Sequence, residues 1–246
     1  MKLKILGSSS GGNCYLFTAD SNETLIVECG IDIKEMKKAL NFDLSSVTGC
    51  LVSHEHSDHS KSIKKVLNAG IDCYMSEGTA KALGIEHHRT HILPKLRMLQ
   101  IGSYTVMAFK TQHDCADPVG FLIYHPEMGI TLFATDTYYV KYNFEGLNNI
   151  MIECNYAKDI LNKNVSDRII TNVLKDRIYK SHFEFENVKG FLKANDLSGV
   201  RNIILMHLSD RNSEVNRFKS EVKELTGINT IVADKGVEVD LDLYGF

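Results

Sequence analysis

Short apolar runs divided by polar turns account for most of the chain, and between them lie stretches whose apolar positions recur every three or four residues. The first pattern predicts strands over residues 2–6, 14–17, 24–30, 47–53, 104–110, 119–124, 130–134, 149–153 and 202–206, with two more near Thr230 and Val237. The second predicts helices over 32–40, 60–67, 158–162, 165–176, 181–192 and 214–225. In the first of these, Ile33, Met36, Lys37 and Leu40 share a face, and in the second Ile63, Val66 and Leu67 do, with a serine available as cap. Ser181 stands three residues before Glu184, a spacing that predicts a cap for the helix over 181–192. Between 72 and 104 the pattern gives a short strand, a short helix and a solvated loop carrying His87, His88 and His91. Two runs of strands interleaved with helices predict an α/β (α+β) fold in which two sheets pack together under outer helices.

No internal repeat, low-complexity tract or long linker interrupts this order, so a single domain over 1–246 is expected. The hydrophobic fraction of 43% and charged fraction of 24% are those of an ordinary globular protein, and no apolar run reaches membrane-spanning length. The first seven residues run into glycines and serines before a signal-peptide core forms, which predicts a cytoplasmic protein. Six cysteines, Cys14, Cys29, Cys50, Cys73, Cys115 and Cys154, stand singly and are expected as reduced thiols, most of them in the core. A net charge of -3 provides no broad basic field for a long polyanion, so long nucleic acid is disfavoured as a partner.

Chemistry concentrates in Leu51-Val-Ser-His-Glu-His-Ser-Asp-His-Ser60, where His54, His56, Asp58 and His59 fall within six positions directly after a strand. Imidazole and carboxylate at this density are metal ligands in a strand-end loop, because without an ion they repel and solvate for no gain. Three more candidates stand at strand ends: His113, Asp136 and His207. Together the seven can form two three-ligand sets that share Asp136, as a pair of metals needs. Taken alone, His113 or His207 reads as an ordinary histidine. Residues 7–13, Gly-Ser-Ser-Ser-Gly-Gly-Asn, form a small-residue loop that is either a plain hairpin connection or a nest for a phosphate, with Ser9, Ser10 and Asn13 as its contacts. There is no G-x-x-x-x-G-K-[ST], which excludes a nucleotide P-loop.

The order His54-x-His56-x-Asp58-His59, then His113, Asp136 and His207, resembles the ligand set of the metallo-β-lactamase superfamily and covers essentially the whole chain. The resemblance implies a four-layer αββα sandwich with two Zn²⁺ ions, Mn²⁺ being the alternative. It places His54, His56 and His113 on one ion, Asp58, His59 and His207 on the other, and Asp136 between them. The segment around Glu153 is similar to the His-Glu-Ala-Thr stretch of RNase Z-type phosphodiesterases, and His182 is similar to their second histidine. That likeness implies that Glu153 orients His182, which protonates the leaving oxygen, while Asp58 orients the nucleophile. Alone, Glu153 reads as a strand-end carboxylate and His182 as a helix-start residue. The loop over 7–13, residues 113–121 and residues 207–210 also resemble the compact YycJ/WalJ-like exonuclease branch and phage anti-Pycsar phosphodiesterases. Two departures stand out: Glu28-Cys29-Gly30 where relatives carry Asp-Ala-Gly, and Ile152 where the His-Glu-Ala-Thr histidine belongs.

The expected substrate is a small nucleotide phosphodiester, foremost a 3′,5′-cyclic mononucleotide, in a bacterial or phage-encoded enzyme. The alternatives are a 5′ to 3′ single-strand exonuclease, whose backbone contacts would include Lys61, Lys64 and Lys65, and a thioester or β-lactam hydrolase. By analogy with similar small phosphodiesterases a homodimer is expected.

Overall fold

The computed structural model describes residues 1–244. A first sheet is built from β1 (Lys2–Ser9), β2 (Gly12–Thr18), β3 (Thr24–Val27), β4 (Val47–Leu51), β5 (Cys73–Met75) and β6 (Thr90–Ile92). A second holds β7 (Met98–Ile101), β8 (Tyr104–Lys110), β9 (Val119–His125), β10 (Gly129–Ala134), β11 (Leu147–Glu153), β12 (Asn202–Met206) and β13 (Asn229–Val232). The last strand, β14 (Glu238–Asp240), returns to the first sheet beside β1, giving the orders β14-β1-β2-β3-β4-β5-β6 and β13-β12-β11-β10-β9-β8-β7.

Alternation along each strand decides which face meets which layer. In β2, Tyr15 and Phe17 point to the inter-sheet core with Leu3, Ile5, Phe121 and Phe133, whereas Cys14 and Leu16 point outward. The outward set is covered by α1 (Ile33–Ala39), α3 (Ile63–Asn68) and α4 (Glu77–Ala82) through Met36, Ile63, Val66 and Ala80; α2 (Ser57–Ser60) is a single turn before α3. In β11, Met151 faces the other sheet, and Ile150 and Ile152 face α7 (Phe185–Ala194) and α8 (Val215–Thr226), whose Phe185 and Phe218 stack at 4.1 Å. The result is the expected αββα sandwich. A further pair, α5 (Lys158–Ser166) and α6 (Asn172–Ser181), has its own small core of Tyr156, Leu161 and Ile170.

Several local expectations are corrected. Residues 7–13 are mostly strand: β1 continues to Ser9 and only Ser10 and Gly11 make the turn. A bulge between Ile5 and Gly7, with the Gly12 carbonyl lying where a Gly7 side chain would stand, lets the two strands pair this closely. His91 lies in β6, stacks on Tyr74 and sits 3.4 Å from Asp72, which also binds Arg89; only His87 and His88 belong to a turn. The helix expected over 181–192 begins at Phe185 with Glu184 as its cap, accepting from the Asn187 amide. Ser181 instead ends α6 and His182 is extended between the two helices. The α5–α6 break falls at 167–171, later than expected, and α3 starts without a side-chain cap because the Ser62 hydroxyl donates to the Ile31 carbonyl.

Candidate metal centre

The site lies where the carboxyl ends of strands from both sheets meet, the usual place for a site on a rigid α/β frame. From the first sheet, β4 runs out through Val52 and Ser53 into His54, and α2 turns Asp58 and His59 back toward it. From the second, His113 follows β8, Asp136 follows β10, Glu153 ends β11 and His207 follows β12. Glu28 (φ 66°), Asp136 (φ 40°) and His207 (φ 52°) all adopt the left-handed backbone region that non-glycine residues avoid. The framework holds three functional-type side chains in strained positions, as functional sites commonly do.

Two groups of ligand atoms result, each within 4.8 Å: His54, His56, His113 and Asp136; and Asp58, His59, Asp136 and His207. Asp136 belongs to both, with Oδ2 3.5 Å from His113 Nε2 and Oδ1 3.4 Å from His59 Nε2. These are the two groups that the family resemblance implies.

The donors suit cations. His113 can use Nδ1 only to donate to the Ser181 carbonyl at 2.7 Å, which leaves Nε2 with a lone pair aimed at the cluster. His54 Nε2 is buried without a hydrogen-bond partner, and its other nitrogen is 2.9 Å from Ser53 Oγ. Burial and the neighbouring His59 hold His54 well below its ordinary pKa, so its ring is neutral, the form a cation requires. The carboxylates demand positive charge in turn. Burial alone would raise Asp136, yet His207 and His59 hold it well below the carboxylate range. Burial opposes the charged form of His207, but Asp136 and the bonds to Asp58 and Glu153 push it up to about 10. An orphaned imidazole nitrogen and carboxylates that already recruit protons for balance fit a pair of divalent ions.

Supporting contacts fix the ligands. Glu28, fully buried, accepts from the Ser53 amide and lies 3.6 Å from His59 Nδ1. The Asn13 amide reaches the Asp58 carbonyl and His59 Nε2, each at 3.1 Å, and Asn155 donates to the His207 carbonyl. Gly30 lets the loop lie flat on the end of β3, since a Cβ there would overlap the Asp58 carbonyl. Of Ser9, Ser10 and Asn13, only Ser10 faces the cleft; the Ser9 hydroxyl accepts from Gly11 and Asn13 is buried beneath the ligands. Ser53, Asn155 and the Ser181 carbonyl are additions to the sequence-derived set. Asn155, two residues past Glu153 at a strand end, had a positional signal, whereas the carbonyl had none.

Beside the two clusters, His182 Nδ1 lies 2.6 Å from Glu153 Oε1. Glu153 Oε2 accepts from the Thr137 and Phe183 amides, so the carboxylate is held from both sides. A third group of Asp136, Glu153, His182 and His207 is also compact enough for an ion, and within it His182 and Glu153 are hydrogen-bonded to each other. Burial disfavours the imidazolium of His182, and Glu153 more than offsets this, raising its pKa. A cavity of about 230 Å³ over the clusters is lined by His56, Asp58, Asp136, His182 and Arg177, among others. Lys61, Lys64 and Lys65 are exposed and do not line it. All six cysteines are free, and only Cys115 is not fully buried. No helix among the described residues is long and apolar enough to cross a membrane.

Two ligand clusters sharing a carboxylate on an αββα sandwich define a metallo-hydrolase. Residues 9–114 match the family profile described as "Metallo-beta-lactamase superfamily". The chain is 26% identical to the exodeoxyribonuclease YycJ of Bacillus anthracis, an alignment spanning 97% of this chain and 92% of that protein. The fold is similar to that of the metallo-β-lactamase fold protein YhfI from Bacillus subtilis (TM-score 0.73, 17% identity, 97% of this chain and 99% of that one). It is also similar to the short form of human tRNase Z (TM-score 0.68, 14% identity, 99% and 100%).

Proposed function

We propose that the protein is a dinuclear-metal phosphodiesterase that hydrolyses nucleotide phosphodiesters, with 3′,5′-cyclic mononucleotides as the favoured substrate. The observation that carries the phosphodiester reading is the Glu153–His182 pair, set 2.6 Å apart beside the ligand clusters with His182 facing the cavity. Ester cleavage at phosphorus needs a proton on a poor leaving oxygen, and thioester or β-lactam hydrolysis gives this pair no evident task.

His54, His56 and His113 would hold one ion and Asp58, His59 and His207 the other, with Asp136 shared. Two divalent ions bound there, Zn²⁺ by the imidazole-rich donor set, supply Lewis acidity that acidifies the attacking water and neutralises charge on the phosphoryl oxygens. The protein's own groups do the rest. Asp58, with Oδ2 3.3 Å from His207 Nε2 and from His59 Nε2, uses its other oxygen to orient the water. His182, kept protonated by Glu153, delivers a proton to the leaving oxygen as the new P–O bond forms and the ester P–O bond breaks. Ser10 and Arg177 at the cavity wall are the remaining polar groups for the phosphate.

The limited volume over the clusters, about 230 Å³, favours a small substrate. A second reading, a 5′ to 3′ exonuclease on single-stranded DNA, is favoured by the likeness to the Bacillus anthracis exodeoxyribonuclease. The test is a side-by-side assay of metal-loaded protein on cyclic mononucleotides, 5′-phosphorylated single-stranded DNA and precursor tRNA. Opening of cyclic nucleotides to linear monophosphates is expected. Rapid release of mononucleotides from DNA with no cyclic-nucleotide opening would transfer the assignment to the exonuclease.

A further inference from the structure

The cavity over the ligand clusters continues past His182 and His207 into a second lobe of about 360 Å³. One wall of this lobe is aliphatic: Ile169 and Ile170 from the segment before α6, and Leu174 and Ile178 from α6 itself. Ile169 is 52% exposed and Leu174 43% exposed, so apolar surface is held open to solvent within a concavity. The opposite rim is polar and comes from the loop after β12. There, the Asn212 side chain is committed to Asn164 and Ser209, whereas Arg211 enters the hydrogen-bond network only through its carbonyl. Arg211 and its neighbour Asp210 thus present charged side chains at the rim.

We propose that this lobe seats the base-bearing arm of the nucleotide whose phosphate lies over the ligand clusters, and that Ile169 and Leu174 are its affinity-determining residues; this rests on the phosphodiesterase reading. A nucleobase has flat apolar faces and a polar edge, which match an aliphatic wall facing a charged rim. The lobe begins at His182, the residue assigned to the leaving oxygen, so it is one ester bond from the phosphorus. Its volume, at the lower end of the ~300–1,000 Å³ typical of small-ligand pockets, accommodates one nucleoside and not a stacked strand.

Nucleosides, which carry no phosphate, isolate the lobe from the metal clusters. Binding of adenosine, guanosine, cytidine and uridine is measured by saturation-transfer NMR and calorimetry, with and without divalent ions, alongside steady-state kinetics. Wild-type protein is expected to bind at least one nucleoside in both conditions. Ile169→Asp and Leu174→Asp, both at exposed positions, are expected to weaken that binding at least tenfold and to raise KM for nucleotide substrates similarly, with kcat changed less than threefold. Leu174→Ala should show a smaller loss. Val173→Asp, 82% exposed on α6 but outside the lobe, should leave nucleoside binding unchanged. Nucleoside binding without turnover of any phosphodiester would uphold the subsite and overturn the phosphodiesterase reading. Turnover of methyl p-nitrophenyl phosphate with no nucleoside binding, and unaltered nucleotide KM in the variants, would overturn the subsite alone.

Discussion

His182 shows how one contact converts a common side chain into a specific instrument. Its Nδ1 is tied to a carboxylate that is buried and held by two backbone amides, so Glu153 can neither rotate away nor be satisfied by water. The proposed mechanism uses the acid form of His182, and Glu153 raises its pKa. Activity should therefore fall as pH climbs through that raised value. Glu153→Gln removes the charge and keeps the shape, so the alkaline limb of the rate profile should move to lower pH, with kcat reduced ~10²–10⁴-fold at neutral pH, the size of a general acid's contribution. A pH profile of kcat for wild type and variant checks this, and an alkaline limb in the same place for both would remove His182 from the proton-donor role. Asp136→Ala tests the shared ligand. Metal content measured by atomic emission should fall below two ions per chain together with activity, and unchanged stoichiometry would show that Asp136 bridges nothing.

At the scale of elements, the site depends on how closely the ligand loop lies on the end of β3. Backbone bonds from Cys29 to the His59 carbonyl and from Ser62 to the Cys29 carbonyl clamp the two segments, each at 2.8–2.9 Å. A methyl group at Gly30 would push Asp58 and His59 off that surface. Gly30→Ala should therefore weaken metal binding tenfold or more and lower activity ~100-fold, the usual penalty for displacing reacting groups by about 1 Å, with the circular dichroism spectrum retained. Gly190→Ala, in α7 where a Cβ meets nothing, is the matched control and should leave both unchanged. The candidate ligands were readable in the chain because four of them fall within six positions and each of the others stands just after an apolar run stops. The clamp was not, since it is made by backbone atoms and by a glycine whose neighbour is 28 residues away. The helix start after His182 is hidden from the sequence for a related reason. Ser181 and Glu184 have the spacing of a capping pair, but Glu153, from another strand, takes the Phe183 amide and holds residues 182–183 extended until Glu184 can begin the helix. Local spacing cannot report a carboxylate arriving from β11.

For the whole molecule, the centre acts as a clasp between the sheets. His54, His56, Asp58 and His59 hang from the first sheet, and His113, Asp136 and His207 from the second, so neither sheet completes a cluster alone. Between the sheets lies an apolar core that needs no metal to form, which argues that the metal-free chain folds and is merely less stable. Ions bound only by the folded state stabilise it by about 2.7 kcal/mol at a free concentration one hundred times Kd. For a chain of this length each kcal/mol moves Tm by about 2–4 °C, so chelation should lower Tm by roughly 5–11 °C. The sign follows from the charges: without ions, Asp136, Glu28 and Glu153 remain buried with only protonated histidines to balance them. Thermal melts of metal-loaded and chelator-treated protein should also separate more at pH 8 than at pH 6: the metal-free fold holds the His207 proton up to about 10, whereas the unfolded chain releases it above its ordinary value of 6.5, so the stability this proton gives the metal-free fold is already declining across the window. In Asp136→Ala, which contributes to both clusters, most of the chelator-sensitive increment should vanish. Equal melting temperatures with and without metal in the wild-type protein would mean that the fold binds no ion preferentially at this centre, and would overturn the dinuclear reading.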